Sequence, residues 1–111
     1  MLIDTHCHLD FPDFAEDLPA YVARAEAAGV GRMVTISTRV ARFADYAAIA
    51  ERFPSVWFSV GTHPHQAHEE LDVTAERLVD LSRHPRCVAI GEAGLDYHYD
   101  SSPREAQAQG L

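Results

Sequence analysis

Val56-Trp57-Phe58-Ser59-Val60-Gly61-Thr62-His63-Pro64-His65 is the stretch that decides how this chain folds: an almost unbroken apolar run passes straight into a glycine, a proline and two histidines. A near-continuous run of that kind suits a strand covered on both faces, and the polar residues behind it suit the loop at its carboxyl end. Working outward, Met33 to Ile36 and Cys87 to Ile90 are runs of the same type, and Leu2-Ile3 opens the chain as a first strand. Helical patterns lie between them. Leu18, Tyr21, Val22 and Ala25 follow the i, i+3, i+4, i+7 rule, with Pro19 near the start and Gly29 just past the end. Val40, Phe43, Ala44 and Ala47 repeat that spacing, and the helix should stop near Arg52 or Phe53, before Pro54. Asp72 or Thr74 can cap a third helix carrying Ala75, Leu78 and Val79 on one face. Strand and helix in regular alternation predict an α/β fold of parallel (β/α) repeats.

Ser102-Pro103-Arg104-Glu105 has the capping-box pattern with proline at the first helical position, which predicts a fourth helix. The sequence then ends at Leu111. Four strands leave a parallel sheet with two bare edges, and a closed eight-stranded (β/α) barrel takes about 250 residues. The expectation is a TIM-barrel fold truncated after about four strands, with residues 1–111 as the N-terminal portion of a single barrel domain. Self-association through the bare edges is expected of the isolated chain.

Composition narrows the partners. The formal net charge is -8, whereas a protein that holds DNA by blanket charge neutralisation is usually basic. A phosphate-bearing substrate would need local help from bound cations or a few placed Arg and Lys residues. The amino terminus lacks the basic stretch and apolar run of a signal peptide, and no apolar stretch approaches the roughly 20 residues that span a bilayer. Cys7 and Cys87 have no metal-type spacing, so a reducing, cytoplasmic setting is expected.

Three motifs carry the chemistry. In Asp4-Thr5-His6-Cys7-His8-Leu9, alternation along a strand sends Asp4, His6 and His8 to one face and Thr5 and Cys7 to the other. Two imidazoles so placed can converge on one cation, with Asp4 behind them to orient a ligand histidine. Gly61-Thr62-His63-Pro64-His65 sets two more histidines on the same rim, and His68 follows as a solvated residue of that loop. In Gly91-Glu92-Ala93-Gly94-Leu95-Asp96-Tyr97-His98, Glu92 comes just past the fourth strand, where a carboxylate can bridge two cations about 3.5–4 Å apart. Asp96 can accept a hydrogen bond there or shape a turn, and Tyr97 and Tyr99 can stack or simply pack. Of seven histidines, six (His6, His8, His63, His65, His68 and His98) gather at the carboxyl ends of strands one, three and four, where barrel enzymes build their active sites. His84 lies near the end of the third helix, where the helix dipole favours it.

Together these three motifs resemble the TatD-type metal-dependent deoxyribonucleases, and Pro103-Arg104-Glu105-Ala106-Gln107 resembles the next helix of that family. The resemblance covers the whole chain but only the first part of the family's fold. It implies a metal-dependent (β/α) barrel that cleaves phosphodiester bonds in DNA. His6 and His8 would hold one divalent ion, Glu92 would bridge to a second, and His63 would face the substrate, with His65, Asp4, Asp96 and Tyr97 around them. The ions would be Mg, Mn or Zn, two per complete site. The family's remaining ligands come from later strands, so the 111 residues alone are expected to be inactive or weak.

Two other readings suit parts of the pattern. His-x-His on a first strand also serves amidohydrolases that act on a carbonyl or ring C–N bond. Cyclic-amide hydrolases more often use a carbamylated lysine where Glu92 stands, and this chain contains no lysine. The other reading is a non-catalytic fragment that binds metal or assembles with itself.

Overall fold

The computed structural model describes residues 1–111. Four parallel strands, β1 (Leu2–Cys7), β2 (Val30–Thr35), β3 (Val56–Val60) and β4 (Cys87–Ile90), lie side by side in chain order. Helices α1 (Pro12–Ala15) and α2 (Leu18–Ala27) follow β1, α3 (Phe43–Arg52) follows β2, α4 (Ala75–Leu81) follows β3 and α5 (Arg104–Gly110) follows β4. Two 3₁₀ segments, Val40–Arg42 and Pro64–Glu69, fill the loops after β2 and β3. The predicted parallel (β/α) architecture is what forms, and no helix is long and apolar enough to cross a membrane.

The core lies between the sheet and its helices. Met33, Val56 and Phe58 meet Tyr46, Ala47 and Ala50 of α3 and Leu18 and Val22 of α2. Burial of such side chains contributes about 1.5–3 kcal/mol each for the larger ones, the main force holding helix to strand. Tyr46 pays the cost of burying a hydroxyl by accepting the Thr38 main-chain N–H at 3.1 Å, which ties α3 to the exit of β2. Gly29 ends the α2 turn with φ of +100°, a conformation that favours glycine.

Several local expectations are corrected. The first strand runs to Cys7, so His6 belongs to β1 itself rather than to the loop beyond it. Of the two proposed caps, Thr74 serves α4, its hydroxyl accepting the Arg77 N–H at 3.1 Å. The apolar stripe of α4 is only partly covered: none of its residues is buried, Leu78 is half-buried and Val79 is 54% exposed. Nor is β4 covered on both faces, since Val88 and Ile90 are each more than half exposed at an edge of the sheet. The helix at Ser102-Pro103-Arg104-Glu105 forms with Pro103 as its cap residue and no side-chain cap. Ser102 is spent elsewhere, as described below.

Candidate metal centre

Everything that converges at the candidate site comes from the carboxyl ends of β1, β3 and β4. His6 and His8 stand on and just after β1, and one ligand atom from each lies within 4.8 Å of the others and of a Glu92 oxygen. Ligand atoms at about 2.1 Å from a tetrahedral cation lie about 3.4 Å apart, so the three side chains are near enough to share a cation after an adjustment on the order of an ångström. Imidazole nitrogens with a carboxylate oxygen form a donor set suited to zinc, manganese and similar divalent ions. Glu92 faces two ways: Oε2 is 3.5 Å from His6 Nε2, and Oε1 is 3.2 Å from His63 Nε2.

Each histidine is aimed by its other atoms. The His8 Nδ1 lies 3.2 Å from the Ile36 carbonyl, and its ring stacks on Phe11 with centroids 4.6 Å apart. Asp4 takes the main-chain N–H of His6 at 3.1 Å, so it fixes the strand end rather than the imidazole. His63 Nδ1 accepts the His65 N–H at 3.0 Å, which turns Nε2 toward Glu92. Burial lowers the His63 pKa below the ordinary histidine value. Glu92 opposes that shift, while His65 and His8 add to it. The consequence at neutral pH is a neutral imidazole, with Nδ1 accepting the His65 N–H and the proton on Nε2 facing Glu92.

Glu92 is placed by groups that the sequence reading passed over. Its N–H donates to the Ser37 carbonyl at 2.9 Å, and the Gly91 N–H to the Val60 carbonyl at 2.9 Å. Ser59 Oγ accepts the Ser37 N–H at 3.0 Å and donates to the Gly91 carbonyl at 2.8 Å. Ser37 Oγ donates to the Gly61 carbonyl at 2.6 Å. The signal was present: both serines interrupt or directly follow apolar runs, and both are fully buried. Gly61 has a second duty, since a Cβ there would come within 2.7 Å of the Gly91 carbonyl carbon.

A further polar chain supports the site from outside. His65 Nε2 is hydrogen-bonded to Asp96 Oδ2, and the His65 and His63 rings sit 4.4 Å apart. The Asp96 carboxyl is held below the usual carboxylate range first by that histidine and then by the N–H groups of His98 and Tyr99. Buried Gln107 of α5 grips the Asp96 peptide from both sides, Oε1 accepting its N–H at 2.6 Å and Nε2 donating to its carbonyl at 3.0 Å. Ser102 Oγ accepts the His68 N–H at 3.0 Å and lies 2.8 Å from its Nδ1. His68 is thus exposed but tethered, not free in solvent. Tyr97 lies away from the cluster, 41% exposed with the Arg104 guanidinium 4.5 Å above its ring. His84 stands apart, just past the end of α4, with its Nε2 2.9 Å from Glu51 Oε1.

Comparison with known proteins places this arrangement. The family model described as TatD related DNase matches residues 3–111. The Escherichia coli K12 protein named uncharacterized metal-dependent hydrolase YjjV is 41% identical over 107 residues, covering 95% of this chain and 41% of the relative. A protein of Enterobacter lignolyticus named 3'-5' ssDNA/RNA exonuclease TatD is 37% identical over 106 residues, covering 96% of this chain and 41% of the relative. The crystal structure of YjjV superposes with a TM-score of 0.79 at 34% identity, covering 99% of this chain and 43% of that one. A TatD-family hydrolase structure from Entamoeba histolytica gives a TM-score of 0.84 at 25% identity, covering 98% and 42%. The chain therefore spans about two fifths of the length of the relatives it matches.

Proposed function

This chain belongs to the TatD-related DNase family, a family of metal-dependent TIM-barrel hydrolases, and from that premise we propose that residues 1–111 form the N-terminal portion of a single barrel domain that cleaves phosphodiester bonds in DNA. The observation that carries the reading is the convergence of His6, His8 and Glu92 at the carboxyl rim of the sheet. In this reading His6 and His8 would hold one divalent ion, and Glu92, beside His63, would be shared with a second. Bound cations supply charge neutralisation of a phosphoryl oxygen and a nucleophile at neutral pH. The protein's own part is positional. Main-chain bonds at Ser37 and Val60 keep the Glu92 carboxylate at the rim, and His63, neutral and aimed by the His65 N–H, faces the side where substrate would lie.

The relative named as an ssDNA/RNA exonuclease supports a nucleic-acid substrate, and the cations offset the acidic net charge of -8. Three ligands fall short of the set that two cations need, so turnover by the 111 residues alone is expected to be weak. The free thiols of Cys7 and Cys87 suit a cytoplasmic, reducing setting. The exposed Leu2, Ile3, Val88 and Ile90 on edge strands β1 and β4 favour self-association of the isolated chain.

Manganese titration by calorimetry tests the ligand assignment: saturable binding by the parent chain should vanish in the His6→Ala/His8→Ala double variant. Unchanged binding in that variant would overturn it. Hydrolysis of a single-stranded oligonucleotide by an intact homologue, run beside a dihydropyrimidine, tests the substrate class. Turnover of the cyclic amide alone would transfer the protein to the ring-hydrolase reading.

A further inference from the structure

A cavity of about 230 Å³ opens beside the histidines of the cluster, between the loop after β1 and the loop after β2. It is lined by His8 with Phe11 stacked on it, by His63 and His65, and by Thr38 and Arg39. The chain has nine basic residues and every one is arginine. Arg39 is the one that lines this cavity, so within an acidic protein it is the cation a bound polyanion would meet next to the cluster.

The state of Arg39 is informative. Its Nε and Nη2 lie 3.2 Å from Oε1 and Oε2 of Glu69, a two-pronged pair in the geometry a guanidinium uses for a phosphate. Both partners are well exposed, 37% and 42%, so the pair is weak and exchangeable. Glu69 sits at the end of the 3₁₀ segment that carries His65, and the arginine directly follows Thr38, whose carbonyl accepts the His63 N–H at 2.9 Å. The guanidinium is therefore tied through one residue of main chain to the histidine that faces Glu92.

We propose that this cavity is a phosphate subsite for the nucleotide neighbouring the one at the metal cluster, with Arg39 as its binding residue and Glu69 as a carboxylate that occupies the guanidinium until a phosphate displaces it. The subsite rests on the nuclease reading for its ligand class. It reads the backbone, not the base, so it is indifferent to sequence. No bond is made or broken there; one anion exchanges for another on the same donors.

The test is binding of a fluorescein-labelled, phosphorothioate-substituted oligothymidylate to the chain with manganese, followed by anisotropy across a salt series. Arg39→Ala should weaken binding about tenfold or more. It should also lower the slope of log affinity against log salt by about one. Glu69→Gln should do the opposite and tighten binding, because it removes the competing carboxylate. The double variant should bind as weakly as Arg39→Ala, since Glu69 acts only through Arg39. Arg39→Lys, which keeps the charge and loses the fork, should fall between parent and Arg39→Ala, and guards against a folding defect in the alanine variant. An oligodeoxyadenylate should give the same ratios.

Opposite signs for Arg39→Ala and Glu69→Gln are the required result. A purely structural ion pair would give no change, or changes of the same sign, and either pattern overturns the subsite. So does a parent chain that takes up manganese and binds no oligonucleotide. Failure of the nuclease reading looks different: the binding pattern holds with its signs while an intact homologue hydrolyses a dihydropyrimidine and no unmodified oligonucleotide.

Discussion

The two halves of the candidate metal centre are held by different means. Glu92 arrives on a lattice of buried hydrogen bonds that runs from Ser37 through Ser59 to Gly91, with Gly61 packed against the peptide before the carboxylate. His6 and His8 arrive on an edge strand that is exposed along most of its length, placed by alternation and by a few contacts to Asp4, Ile36 and Phe11. The carboxylate half is therefore preorganised by the fold's interior, where an unmade bond is costly. The histidine half is preorganised by strand geometry, which costs nothing to maintain and resists little. A metal ion would order the second half more than the first.

That contrast breaks if the serines prove dispensable. Ser59→Ala leaves the buried Ser37 N–H and the part-buried Gly91 carbonyl without their serine partner. Two such groups should cost about 2–4 kcal/mol. Chemical denaturation should show the loss, and manganese affinity should fall with it because the Glu92 backbone is released. A loss below 0.5 kcal/mol, in the range of about ±0.5 that surface changes give, would mean the lattice does not hold the carboxylate. Gly61→Ala is the next largest effect. The new methyl would meet backbone atoms at 2.7 and 2.8 Å, with no flexible side chain able to yield. Overpacking of this kind costs about 1–3 kcal/mol. Metal binding should weaken in the same variant, and unchanged stability with unchanged affinity would show that the close approach is not required.

The same contrast explains what could be read from the chain and what could not. β2, β3 and β4 were legible because runs such as Val56 to Val60 have no other economical place than a covered strand. The candidate ligands were legible because His-x-His follows the short apolar start of β1 and Gly-Glu directly follows the β4 run. Ser37 and Ser59 were not, because a serine in an apolar strand looks like dilution until its partners on neighbouring strands are known. Ser102 misled for a related reason: its local pattern offers a helix cap, but His68, 34 residues away in the chain, takes the hydroxyl instead. The apolar stripe of α4 was legible as a helix face, but the stripe alone does not say whether it is covered, and none of its residues is buried.

Cys7 sharpens the comparison from the histidine side. It lies between His6 and His8 but packs toward the helices, its thiol donating to the Val34 carbonyl at 3.4 Å. Burial, with Asp4 and Asp10 nearby, pushes the thiol from 9.0 up to about 12. At pH 8 that leaves roughly a thousandfold less thiolate than an ordinary cysteine carries. Iodoacetamide should accordingly label Cys7 very slowly, with mass spectrometry following each thiol. Labelling at the rate of free cysteine would show that β1 frays in solution and that the histidine half is looser than its geometry implies.

Asp96 gives the smallest effect and the most local one. Its hydrogen bonds from His65, His98 and Tyr99 lower the carboxyl's pKa, so the native state favours the ionised form. A depressed carboxyl contributes stability above the ordinary carboxylate range and loses it as the pH falls through the lowered value. The loop after Glu92 should therefore stay closed through neutral and mildly acidic pH and loosen only in stronger acid. His65 is the largest cause of the shift, and the two main-chain donors are smaller. In His65→Ala the Asp96 midpoint, followed by carbon-13 NMR of the carboxyl, should move upward toward the ordinary value without reaching it, since the N–H donors remain. An unmoved midpoint would mean that main-chain donors alone hold the carboxylate, and that the path from α5 through Asp96 to His65 stops one residue short of the site.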